Sequence, residues 1–173
     1  MPASAKVTTN IDLTYTKDIG PSDVTAAVKA GRSDGYLVSL GTGDIDSAFV
    51  VRGQISTGGN VSYDLDGGGL EDIYGNTIQF TKVKGILIVN HSDDPLGGQN
   101  ATSAKISVNG NFITSHWGAN TVLPLWAGDK VLLDCHTAAF AVTNASADTI
   151  TFTETTSLHV AYFDMIIIAE GSS

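Results

Sequence analysis

The chain is built from short runs in which apolar and polar residues alternate, separated by clusters of Gly, Asn, Asp and Ser. Val7, Thr9, Ile11, Leu13 and Tyr15 share one parity, so the opening segment predicts a strand with one buried face, broken at 18–21. Residues 22–31 are the one helical candidate: Ser22 offers an N-cap, the interior is rich in Ala, and Gly31 supplies a stop. Strands follow at 48–56 and 61–65, on either side of the turn 57–60. The second runs into 66–69, where consecutive glycines disfavour regular structure.

Parity is most informative over 77–90. Ile78 and Phe80 share a face that Val83, Leu87 and Val89 do not, and the phase change near 82–85 predicts a bulge. From Ile86 to Val89 both faces are apolar, as in a strand covered on both sides. Residues 105–115 read as a hairpin closed by Asn109-Gly110 in a type I′ turn. That closure pairs Ile106 with Ile113 and places Ile106, Val108 and Ile113 on one core face.

Further strands are predicted at 121–126, 130–135, 138–143, 149–153 and 157–169, with turns at 118–120, 127–129 and 144–148. Trp126, between Leu125 and a turn, reads as core. The last strand is apolar on both parities: Leu158, Val160, Tyr162, Ile166 and Ile168 on one, Ala161, Phe163, Met165 and Ile167 on the other. At roughly 3.3 Å per residue it would run about 40 Å. It reads as the central strand of a sandwich; the other reading is that a second subunit covers part of it. Short strands with turn signals about every eight to twelve residues predict an all-β chain, an antiparallel β-sandwich of jelly-roll-like type, with one short N-terminal helix. No repeat or boundary divides it, so 1–173 reads as a single domain.

Composition agrees with strands: 19 Gly and 4 Pro stand among many Thr, Ser, Val and Ile, and 173 residues suffice for a core without metal or disulfide. The net charge of −9, with only nine scattered Lys and Arg, argues against a nucleic-acid binder. Cys135 is the sole cysteine, which excludes an intrachain disulfide; in the run Val131 to Cys135 it reads as a buried, inert thiol. Neither a signal peptide nor a run of membrane-spanning length is seen, so the expectation is a protein made and kept soluble in a cytoplasm, without a membrane partner.

Catalytic chemistry finds little support. His91, His116, His136 and His159 lack the spacing of a zinc site or a Cys/His pair, and adjacent Cys135 and His136 face opposite sides of a strand. Asp64, Asp66 and Asp72 are the weak calcium candidates, in an oxygen-rich loop without the distant bidentate acid of an EF-hand; solvated turns are the simpler reading. The glycines at 41–46 and 66–69 lack the Lys-Ser/Thr of a phosphate cradle. Trp117, Trp126 and Tyr74 are candidate glycan-stacking aromatics, of which Trp126 reads rather as core and Trp117 and Tyr74 remain. A hydrolase of cell-wall sugar would need two carboxylates held across a cleft, which spacing alone does not supply. No enzyme activity and no cofactor are expected.

A block of residues resembles a family. The order Asp64-Leu65-Asp66, Gly69-Leu70-Glu71-Asp72, Gly75-Asn76-Thr77, Phe80, Val83-Lys84, Ile86, Ile88 and Asn90-His91-Ser92 is similar to a loop-strand block of small tailed-bacteriophage virion structural proteins. An apolar strand entered through a turn, here 123–133, and a terminal aliphatic strand, here 162–168, follow in the same order. The resemblance covers roughly 46–170 and carries no functional residues with it. It implies a head decoration (cement) protein on the capsid surface of a virion, partnered by the major capsid protein and by itself, with a homotrimer expected. Residues 1–46, part of which departs from the family pattern, then become a candidate capsid-binding or oligomerisation segment. The alternative function is a host- or glycan-binding module of a tail or head fibre, using Trp117 and Tyr74.

Overall fold

The computed structural model describes residues 12–17, 24–29, 47–67, 69–71, 75–91, 104–134, 139–157 and 159–172. The chain divides into two compact units, 1–39 and 40–173. In the first, strands β1 (Asp12–Lys17) and β2 (Val24–Lys29) pair antiparallel, with Thr14 opposite Ala27 and Lys17 opposite Val24. Over the described part of the helix expected at 22–31, residues 24–29, the expectation is therefore corrected to a strand. A helix of that length is marginal in water, and Val24, Thr25 and Val28 are β-branched, so pairing along all of β1 prevails.

The second unit holds β3 (Ser47–Ile55), β4 (Asn60–Asp64), β5 (Leu70–Glu71), β6 (Thr77–Asn90), β7 (Lys105–Asn109), helix α1 (Asn111–Trp117), β8 (Leu123–Trp126), β9 (Lys130–Asp134), β10 (Phe140–Ala141), β11 (Thr149–Glu154) and β12 (Ala161–Ser172). They form two antiparallel sheets packed as a β-sandwich. In the large sheet β12 lies between β3 and β6, while the far edge of β6 is shared by β9 and β10, and β5 pairs with its start. The small sheet has the order β4-β11-β7-β8. The last strand is thus central, as its double apolarity predicts. Among the described residues no helix is long and apolar enough to cross a membrane.

The phase change in β6 is resolved by two irregularities. Against β12, Ile168 faces Gly85 while Ala169 faces Val83, so Lys84 is extra; Glu170 faces Lys82 while Gly171 faces Phe80, so Thr81 is extra. Each extra residue flips the parity, which is how Phe80, Val83, Ile86 and Ile88 all reach the core.

Both sheets feed that core. Ile106 and Val108 of β7, Ile150 and Phe152 of β11, and Leu125 of β8 meet Phe163, Met165 and Ile167 of β12 across the sandwich. Phe152 and Phe163 stack with centroids 4.1 Å apart, and Tyr63 stands edge-on to both. Gly53 lies opposite Phe163 in the ladder, where a Cβ would collide with the ring, so the glycine admits the aromatic.

The hairpin expected over 105–115 is also corrected. β7 ends at Asn109 and, after Gly110, the chain enters α1. Both edges of β7 are already taken, by β11 and β8, leaving no place for a returning strand. Gly110 adopts φ 111° and ψ 167°, a region almost confined to glycine and not that of a type I′ turn. Asn111 then anchors the helix: its Oδ1 accepts from the Asp148 and Thr149 amides at 2.9 and 2.6 Å, and its Nδ2 donates to Asp148 Oδ1 at 2.8 Å. The expected core trio of Ile106, Val108 and Ile113 is nevertheless fully buried.

Candidate functional site

The outer face of the large sheet carries an apolar row. Ile166 pairs with Val50 on one side and Leu87 on the other, and Leu87 pairs with Leu132, so four strands align four aliphatics. None of the four belongs to the cluster between the sheets. Ile166 is buried, whereas Val50, Leu87 and Leu132 are half-buried. Central strands of an antiparallel sheet normally present polar residues on the face away from the core. Here one whole rank of that face is aliphatic, and the next rank along is Arg52, Asp164, Val89 and Lys130.

One step along β12 lies a part-buried ionic knot, in which Asp164 is buried and Arg52 half exposed. Asp164 Oδ1 accepts from Arg52 Nε at 2.8 Å and Oδ2 from Arg52 Nη2 at 3.2 Å, a bidentate pair between β12 and β3. His91, just past β6, is placed by its backbone N–H, which donates to the Tyr162 carbonyl at 2.9 Å; its Nε2 stands 2.8 Å from Asp164 Oδ2. Burial pushes the Asp164 carboxyl up, but contact with His91 and Arg52 pulls harder and holds it at about 2. The hydrogen bond to Asp164 likewise raises the Arg52 guanidinium above its ordinary value. A carboxylate so firmly ionised is a counter-ion, poorly matched to proton transfer near neutral pH.

The other buried acids are held by backbone amides. Glu154 is desolvated, yet it stays ionised below its usual range because Thr156 Oγ1 and the amides of Gly58, Thr156 and Ser157 donate to it; the amide bonds are 2.8, 2.6 and 2.8 Å. Asp148, also desolvated, is held low by Asn111, the Ala145 amide and Thr149 Oγ1. Both carboxylates fasten turns. Sequence reasoning missed all three acids; for Asp164 the available signal was a lone acid inside a strand apolar on both parities.

Of the sequence candidates, some are described in the structure and others lie outside the described residues. Asp64 closes its own turn, its Oδ1 accepting from the Asp66 and Gly67 amides at 3.1 and 2.8 Å, and Asp72 lies outside the described residues. Among the described residues no group of three His, Cys, Asp or Glu could hold a metal ion. Cys135, His136 and Tyr74 also lie outside them. Trp117 packs against Phe140 at 4.6 Å between centroids and angles onto Phe112 and His116, so its ring belongs to an aromatic cluster. His116 joins the same cluster and its Nε2 lies 2.9 Å from the Ala141 carbonyl oxygen.

Trp126 corrects the expectation of a core residue: it is 52% exposed. Leu125 takes the inward position on β8, so its neighbour must face out. Lys105 sits opposite, its Nζ 5.2 Å from the indole centroid.

Comparison with profiles of known protein families finds no match, and no curated protein is significantly similar to the chain.

Proposed function

We propose that the chain is a non-enzymatic structural protein of a tailed-phage virion, a decoration (cement) protein that stabilises the head through protein-protein contacts. One observation carries the reading: the outer face of the large sheet carries a four-strand apolar row, Val50, Ile166, Leu87 and Leu132, lying outside the sandwich core. Apolar area withdrawn from water contributes about 25 cal/mol per Å², and a stable interface takes about 800 Å² from each partner. The row supplies an apolar centre for such a contact, with the major capsid protein or with sister subunits of a homotrimer. The Arg52–Asp164 pair beside it keeps that end of the face rigid. Residues 1–46 serve as the additional capsid-binding or oligomerisation segment.

The reading is tested by co-sedimentation of purified chain with capsids lacking it. Leu87→Asp and Leu132→Asp, at half-buried outer positions, are expected to lower capsid occupancy at least about tenfold at a temperature where the melt of each free variant shows it still folded. Occupancy equal to the parent's in both variants removes the outer row from the contact.

A further inference from the structure

The face on the opposite side of the sandwich has a different character. Along β8 and just before it, Val122, Pro124 and Trp126 share the outward parity; Val122 and Trp126 are the large exposed hydrophobic residues among the described ones. Beside this apolar rim the ladder sets ranks of uncharged polar side chains. Pro124 pairs with Ser107, Ser107 with Thr153, and Thr153 with Asn60. The next rank runs Asn109, Thr151 and Ser62, with the last two hydroxyls 2.8 Å apart.

We propose that this face binds a neutral, extended polysaccharide. A sugar ring offers C–H bonds on its flat faces and hydroxyls around its edge, so it is matched by an exposed indole beside a field of hydroxyls and amides. Strands about 4.8 Å apart place those donors and acceptors at intervals comparable to one ring along the glycan. Charge decides the class of ligand. The chain carries a net −9, yet the two central ranks hold no ionised group; charges lie at the margins, with Lys105 over the Trp126 ring, the Asp129 carboxylate accepting from the Trp126 amide, and Asp64 beside Thr149. An anionic glycan would find a single cation there. Pro124 removes a backbone donor from the edge strand, which disfavours strand addition by a second copy. The inference is independent of capsid binding, which uses the other sheet.

The test measures binding of the full chain to dextran, laminarin and galactomannan, with alginate as the acidic comparison, by calorimetry and affinity electrophoresis. At least one neutral polysaccharide binds, Trp126→Ala weakens it about tenfold or more, and Ser107→Ala with Thr153→Val weakens it without lowering the melting temperature. The proposal is overturned if no neutral polysaccharide binds, if alginate alone binds, or if Trp126→Ala binds like the parent. It is equally overturned if Trp126→Ala converts an oligomer to monomer in sedimentation without affecting polysaccharide, because a second copy then occupies the face.

Discussion

Asp164 holds a charge in the middle of a buried strand because Arg52 and His91 converge on it. Its carboxyl lies at about 2 in the folded protein against 3.8 in an ordinary setting, which at 1.36 kcal/mol per pH unit corresponds to about 2 kcal/mol. Because the folded value is the lower one, this stability is fully present above about pH 4 and is lost as pH falls from there toward 2. Denaturant melts of the parent and Asp164→Asn at pH 7, 4 and 2.5 check it: the gap between them should be largest at pH 7 and shrink at pH 2.5. A gap independent of pH would mean the pair does not hold the carboxylate ionised. The sequence marks Asp164 only as a lone acid in a doubly apolar strand; its partner is not legible, since Arg52 and Asp164 stand 112 positions apart and no local pattern joins them. Trp126 was misread for a simpler reason. Leu125 and Trp126 are adjacent, and a strand buries only one of two neighbours on a single-sided face.

Among elements, those governed by parity were legible and those governed by pairing were not. The doubly apolar β12 is central, and the phase change in β6 is a bulge at Lys84, accompanied by a second at Thr81 that the count did not separate. The segment after β7 shows the opposite. Asn109-Gly110 satisfies the local rule for a hairpin, but β11 and β8, remote in sequence, occupy both edges of β7. The inward residues survived the error because Ile113 is buried from a helix as it would be from a strand. The same limit explains β2, whose six residues are decided by β1 and not by alanine content. The junction depends on Gly110, where any Cβ would meet the Thr149 carbonyl and a positive φ penalises L residues. Gly110→Ala should cost on the order of 2 kcal/mol in equilibrium unfolding. A cost within a few tenths of a kcal/mol of zero would show that the backbone there relaxes freely.

For the whole molecule, the sandwich presents two unlike outer faces: an aliphatic row on the large sheet, and hydroxyls and amides rimmed by Trp126 on the small one. The fold class followed from strand spacing, whereas the faces required the ladder register, because which aliphatics line up depends on how β3, β12, β6 and β9 are aligned. In the proposed reading the first face takes the contact with protein and the second the contact with sugar. Electron microscopy of assembled virions that carry this protein tests the structural role most directly. The expected result is density for the sandwich at regular lattice positions on the outside of the head, with Val50, Leu87 and Leu132 toward the shell or a sister subunit and Trp126 toward solvent. Heads bearing no such density, or the protein found only in a tail fibre, would contradict it.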